Sequence, residues 1–221
     1  MKSLKSLYKI GHGPSSSHTI GPERIAKDMK NRYSADNYKV ILYGSLSLTG
    51  RGHLTDKAIE RVLSPVEIIF SNDWITDHPN TLDIIAYKNN QEITKERYYS
   101  IGGGSFLRKG ESEVEENEIY PHNTFSEIAT YCKKEKLTLY DYVYLFEGQE
   151  IKEHLRKIWR VMQEAINIGL HTEGYLPGKL SVKRKARSLL YSTKNKVSIE
   201  LRLVSAYAYA VSEVNASGGL V

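Results

Sequence analysis

The sequence predicts a mixed α/β (α+β) fold over its first half and an all-helical segment after it. Two strand-or-loop-to-helix junctions rich in glycine, an alternating hairpin near residues 82–101 and sustained three- and four-residue apolar spacing beyond residue 124 carry that prediction.

Taken in order, residues 11–24 read GHGPSSSHTIGPER, a loop that runs into an amphipathic helix. Pro22 suits the first helical position, Glu23 the first turn, and Gly21 or Thr19 can cap; Ile25, Ala26 and Met29 then recur at helical spacing. Residues 38–49 alternate Val40, Leu42, Leu46 and Leu48 against Ile41, Tyr43, Ser45 and Ser47, which predicts one strand with a bulge or close approach at Gly44. A turn at Gly50-Arg51-Gly52-His53 follows. Thr55 can cap a helix carrying Ala58, Ile59, Val62 and Leu63, stopped by Ser64-Pro65. Residues 66–70 predict a short buried strand, and residues 82–87 and 92–101 a hairpin about Asn89-Asn90. Gly102, Gly103 and Gly104 read as a hinge or tight crossing. They lack the spacing of a dinucleotide fingerprint, and no Walker lysine accompanies them. The acidic residues 111–118 read as a solvated loop.

The second half opens on a capping box, Thr124 to Glu127, whose helix ends near Lys136. Ile151, Leu155, Ile158, Trp159, Met162 and Ile166 predict a long helix with Gly169 as its stop, and Leu176-Pro177-Gly178 a turn. In a final helix Val197, Leu201, Val204, Ala208 and Val211 share one face, with Ile199, Leu203 and Tyr207 on another. That apolar surface is expected to need a partner.

The composition, 40% hydrophobic and 26% charged over 221 residues, is that of a globular protein with a buried core. The net charge of +5 owes much to Lys179, Lys183, Arg184, Lys185 and Arg187. No recognition motif accompanies this run, so it reads as solvated surface and no nucleic-acid partner is expected. No stretch has the apolar length of a bilayer span and the N-terminus lacks a signal-peptide core, so the expected location is cytoplasmic, with no membrane partner. The single cysteine, Cys132, lies in a helical pattern and reads as a buried structural thiol. It excludes an internal disulfide and a multi-cysteine metal site within one copy.

Two histidine loops, Ser17-His18-Thr19 and Gly52-His53-Leu54-Thr55, each precede a helix. The first aims backbone N–H groups and hydroxyls at one spot, which favours a carboxylate or phosphate, and His18 titrates near neutral pH. Brought together, the loops would offer an acid–base pair beside an anion cradle. A capped turn with solvated serines, and histidines bonded within their own turns, account for the same residues. His78-Pro79-Asn80 is a third polar turn, structural when taken by itself, and His12, His122, His154 and His171 show no metal-ligand spacing.

The chain resembles the iron–sulfur-dependent bacterial L-serine dehydratases (L-serine ammonia-lyases). The resemblance is carried by KIGHGPSSSHTIGPERIAK at 9–27, YGSLSLTGRGHLTDKAI at 43–59, HPN at 78–80, YYSIGGG at 98–104, EGYLPGKLSVKRKA at 173–186 and AYAVSEVNASGG at 208–219. It implies a β-type domain over residues 1–147, with a fold like the allosteric substrate-binding domain of a phosphoglycerate dehydrogenase. Residues 148–221 would then be the N-terminal part, truncated, of the α-type catalytic helical domain. The implied reaction is deamination of L-serine to pyruvate and ammonia, as in amino-acid degradation and gluconeogenesis. By position, His18 and His53 become the catalytic base or its orienting partner. Ser15, Ser16, Ser17, Thr19 and Thr55 would hold the substrate carboxylate or hydroxyl, with Asn80 a further polar contact.

The implied cofactor is a 4Fe–4S cluster whose open iron serves as Lewis acid. Pyridoxal phosphate is not expected, because no lysine stands beside a phosphate-binding glycine loop. In the family the cluster-ligating cysteines lie beyond the SGG motif, where this sequence ends, and Cys132 does not match them. The expectation is therefore no metal ligand in this chain, inactivity alone, completion by the missing catalytic half or a separate α-type subunit, and a homodimer of the complete enzyme. Thr81-Leu82 also replaces the family's Gly-Met, and residues 64–77 form a short segment. The alternative reading is a non-catalytic serine-binding or regulatory interaction domain.

Overall fold

Alternation of apolar residues builds the sheet. In β1 (Asn37–Leu42) every second residue, Tyr38, Val40 and Leu42, is buried. β2 (Val66–Phe70) runs parallel to it, with Val40 opposite Ile68. β3 (Thr81–Lys88), β4 (Gln91–Gly102) and β5 (Ser105–Arg108) follow antiparallel, so the five strands form one mixed sheet of order β2-β1-β3-β4-β5. The computed structural model describes residues 1–74, 77–113, 117–178, 180–192 and 198–221. Two compact units emerge, one of Gly11–Ser112 with Glu164–Val221 and the other of Met1–Ile10 with Glu113–Gln163.

In the first unit one sheet face carries Tyr38, Val40, Leu42, Leu82, Ile84, Ala86 and Tyr98. Ile25, Ala26 and Met29 of α1 (Gly21–Arg32), Leu46 of α2 (Gly44–Thr49) and Ile59 of α3 (Thr55–Glu60) pack against that face. Each fully buried aliphatic side chain contributes about 1.5–3 kcal/mol, so this layer holds the scaffold from which the loops project. On the opposite face Asp83, 1% exposed, takes two hydrogen bonds from Arg97, at 2.7 and 3.0 Å, which compensate its burial.

The strand expected over residues 38–49 is half right. It ends at Leu42. Gly44 has φ +52° and a carbonyl, Pro79 O, 2.6 Å from where a Cβ would stand, and the chain turns there into α2. Leu46 and Leu48 therefore fall on different sides of a helix, fully buried and 75% exposed respectively. Gly102 ends β4, and Gly103 and Gly104 make the tight turn into β5, all three at positive φ, where a hinge or tight crossing is expected from the sequence and β5 is not.

The helical stretch of this unit comprises the end of α6 (Glu150–His171), α7 (Ala186–Tyr191) and α8 (Ile199–Ala216) around Leu170, Ala186, Ala206 and Ala210. Gly169 was expected to stop α6, yet the helix continues to His171. The glycine serves a crossing instead, because a Cβ there would lie 2.3 Å from Ala210 O and 2.5 Å from Ala210 Cα. On α8 the small Ala206 and Ala210 and the aliphatic Val214 are buried, while Leu201, Val204 and Tyr207 are exposed. Val197, assigned to that exposed face, and Lys179 of the basic run lie outside the described residues, as do residues 114–116 of the acidic loop.

The second unit packs α4 (Phe125–Glu135) and α5 (Leu139–Glu147) around Tyr120, Cys132 and Tyr142. The capping box at Thr124 and Glu127 forms as expected, and a second at Thr138 and Asp141 opens α5, which was not foreseen. Cys132 is a buried free thiol. The Met1 ammonium donates to Tyr120 O at 3.0 Å, and Ser3 Oγ and Leu4 N donate to Glu147 at 2.7 and 2.6 Å, which ties the first residues down.

The α6–α8 crossing has a direct test. Gly169→Ala should lower stability by about 1–3 kcal/mol through overpacking, against a helix-propensity gain of about 1 kcal/mol. An unchanged or raised urea midpoint would refute the close approach.

Candidate active site

Both histidines sit at the start of helices on the core side of the sheet, within the first compact unit. Ser15, with extended backbone, opens a wide turn over Ser16–Ile20, and its Oγ accepts from His18 N at 3.2 Å. The turn runs straight into α1, so Ser15 caps the start rather than the expected Gly21 or Thr19. The amides of Ser15, His18, Thr19 and Ile20 are all consumed inside this turn. The anion cradle expected of the loop thereby shrinks to the remaining amides and the hydroxyls.

Thr19 and Thr55, both fully buried, have the same kind of task. Thr19 Oγ1 donates to His53 O at 2.8 Å, and Thr55 Oγ1 donates to His18 O at 2.6 Å. Thr55 is thus not the helix cap it was expected to be; Leu54, in the left-handed region at φ 57°, precedes α3 without a side-chain cap. The crossed bonds bring the two imidazoles to 4.7 Å between centroids, tilted by 37°.

The ring nitrogens are not equivalent. His53 Nδ1 lies 3.0 Å from Thr49 O, a carbonyl that only accepts. The proton of neutral His53 therefore resides on Nδ1, and Nε2, with no hydrogen-bond partner among the described residues, carries the lone pair. His18 is clamped at both nitrogens, Nδ1 by Ser17 Oγ and Nε2 by Ser45 Oγ, each at 2.9 Å. Burial pushes its pKa below the ordinary 6.5 and the neighbouring His53 pushes the same way, with a contact from Ser45 opposing them.

Asn80 stands behind the serines. Its carbonyl accepts from Ser100 N at 2.9 Å and its Nδ2 donates to Ser100 O at 3.3 Å, while Ser100 Oγ donates to Ser17 O at 2.7 Å. On the other side Pro79 O accepts from Ser45 N at 2.8 Å. The Asn80 Oδ1 atom is buried with no hydrogen-bond partner among the described residues, which marks it as a polar group the fold leaves unsatisfied. Ser16, by contrast, is exposed, and its carbonyl accepts from Gly21 N at the start of α1.

Three supports were not visible in the sequence. Ser45 was assigned to a strand. Glu23, with a side chain 8% exposed, accepts from Lys27 Nζ at 2.5 Å and pairs with His12 Nδ1 at 2.9 Å, with Arg61 3.6 Å away. Burial opposes its ionisation, but the bonds from Lys27 and His12 outweigh that and hold its pKa below the usual carboxylate value. Finally, Gly11 exchanges two hydrogen bonds with Val221, both 3.0 Å, and Gly13 N donates to Gly219 O at 3.0 Å, so residues 219–221 brace the entry to the histidine turn.

Residues 3–67, which include both histidine loops and Ser45, match the family described as Serine dehydratase beta chain. Over those residues the chain is similar to serine dehydratase beta chains. It is 32% identical to the L-serine dehydratase of Haemophilus influenzae over 282 residues, covering 100% of this chain and 62% of that protein. It is 32% identical to L-serine dehydratase TdcG of Escherichia coli over 281 residues, covering 100% of the chain and 62% of the relative. The L-serine dehydratase of Helicobacter pylori is 33% identical over 279 residues, 99% of this chain and 61% of its own length. The chain therefore spans about three fifths of the curated relatives it matches, and the aligned stretches exceed its 221 residues, so those relatives carry insertions relative to it.

Because the neutral imidazole of His18 is favoured in the folded chain, its stabilising contribution is complete above pH 6.5 and is lost as the pH falls through the lowered pKa. An NMR titration of the His18 ring should give a midpoint below 6.5. A midpoint at or above 6.5 would contradict the buried, His53-facing environment.

Proposed function

We propose that this chain is the β-type region (residues 1–147) and the beginning of the α-type helical region (residues 148–221) of an enzyme that deaminates L-serine to pyruvate and ammonia. The juxtaposition of His18 and His53 inside the family-matched segment is the observation that supports this most. In this reading His53 Nε2 takes the Cα proton, since it is the nitrogen with a free lone pair, and the Nδ1 bond to Thr49 O supports the resulting imidazolium. His18, kept neutral beside it, avoids a second positive charge at 4.7 Å and orients the substrate through its serine-bound ring. Asn80 Oδ1 and the hydroxyls of Ser15 and Ser17 receive the substrate's ammonium and hydroxyl, while Thr19 and Thr55 serve the loops rather than the substrate. Loss of hydroxide and hydrolysis of the aminoacrylate complete the reaction.

A 4Fe–4S cluster would supply Lewis-acid assistance to the departing hydroxyl, but the residues here do not fit one. A cubane needs about three protein thiolates; this chain has one cysteine, Cys132, buried in the other compact unit. Among the described residues no group of three or more His, Cys, Asp or Glu side chains converges on a metal position. The reading therefore assigns cluster ligands to a complementary polypeptide segment, and activity to the assembled, homodimeric enzyme in the cytoplasm. No described helix is long and apolar enough to cross a membrane.

In the complete enzyme His53→Ala should reduce turnover by about 10²–10⁴-fold, the usual loss of an acid–base group, and His18→Ala by more than about tenfold through lost positioning. Serine-dependent pyruvate formation measures it, and near-native rates for both variants would remove the pair from the chemistry. Calorimetric binding of L-serine to this chain, with no lyase activity in any complemented form, would favour the sensor reading instead.

A further inference from the structure

After α6 the chain folds back on itself, with Leu176 N donating to Val182 O at 2.8 Å and Arg184 N to Gly174 O at 2.9 Å. Tyr175 stands opposite Lys183, and the returning strand enters α7. This hairpin and helix bound a cavity of about 470 Å³ on whose walls stand Lys183, Arg184 and Arg187, with Ser188, Tyr191 and one acid, Glu173; the Ser188 hydroxyl is engaged with Lys185 O at 2.8 Å. The charges do not cancel. Glu173 is taken by Arg187 Nε at 2.7 Å, while among the described residues the Arg184 guanidinium meets a hydroxyl, Ser217 Oγ, at 2.5 Å and no acid. Lys183 has no ion-pair partner among the described residues. The other acid nearby, Glu213, is 4% exposed and turned to the Lys185 and Ala186 amides at the start of α7.

A concave site with two cations that have no ion-pair partner among the described residues, and a third held in a fixed pose, attracts a small anion with several oxygens. We propose that this pocket binds a small dianion of the phosphate or dicarboxylate type, at a site separate from the histidine pair. Solvated surface, the reading of this basic run in the sequence, does not explain why its cations converge on one cavity. The proposal does not depend on the serine dehydratase reading, because it concerns residues outside the histidine network.

Titration calorimetry on this chain tests it, with inorganic phosphate and malonate as separate probes at low and high potassium chloride. Saturable one-to-one binding of either, weakened by salt, is expected. Phosphate alone saturating assigns a phosphoryl ligand, malonate alone a dicarboxylate. Lys183→Glu, at an exposed position without an ion-pair partner, should weaken binding on the order of tenfold or more, and Arg184→Gln should act in the same direction. Lys185→Gln, whose side chain stacks on Tyr209 away from the cavity wall, should leave binding unchanged. Absence of saturable binding with both probes, unchanged affinity in Lys183→Glu, or an equal loss in Lys185→Gln would overturn the site.

Discussion

The crossed pair of hydroxyl-to-carbonyl hydrogen bonds, Thr19 to His53 and Thr55 to His18, is the constraint on which the candidate active site depends. Each threonine is fully buried, and each satisfies the backbone carbonyl of the opposite histidine. Removing either hydroxyl would leave a partly buried carbonyl without its partner, at a cost of about 1 kcal/mol. The bonds are reciprocal, so neither loop can shift without breaking a bond to the other. Two turns that begin different helices become one rigid unit, and the imidazoles face each other because their backbones are fixed.

Everything else around the loops secures that unit. The sheet and α1 supply a packed base, Glu23 ties His12 to α1, and residues 219–221 pair with Gly11 and Gly13. Ser17 and Ser45 then fix the His18 ring from two directions, while Ser100, itself bonded to Asn80, holds the Ser17 carbonyl and Pro79 O holds the Ser45 amide. The asymmetry of the pair follows. His18 is held, neutral and bonded at both ring nitrogens, whereas His53 Nε2 has no hydrogen-bond partner among the described residues.

The elements legible in the sequence were those with local signals. A short apolar run marked β2, although its residues are only half-buried and Glu67 is exposed, the Asn89-Asn90 turn between two strand-like runs marked the β3–β4 hairpin, and the Thr124–Glu127 pattern marked α4, because each rests on residues within a few positions of one another. The histidines and most of their neighbours were also legible, as residue types suited to chemistry in glycine-rich turns. Their working relations were not. The threonine bonds join residues 34 and 37 positions apart, and no period in the chain records such a pairing. Ser45 was hidden because the alternation of residues 38–49 continues through Gly44, while the backbone there turns through a positive φ that alternation does not register. Gly169 misled for a related reason. Glycine is common at helix ends, but here it clears space for Ala210 on another helix.

The most direct measurement is the nuclear Overhauser effect between the ring protons of His18 and His53 in the histidine-labelled chain. The crossed hydrogen bonds predict a ring-to-ring cross-peak that disappears when Thr19→Val and Thr55→Val are combined. No cross-peak in the unmodified chain, or one that survives the double substitution, would contradict the account.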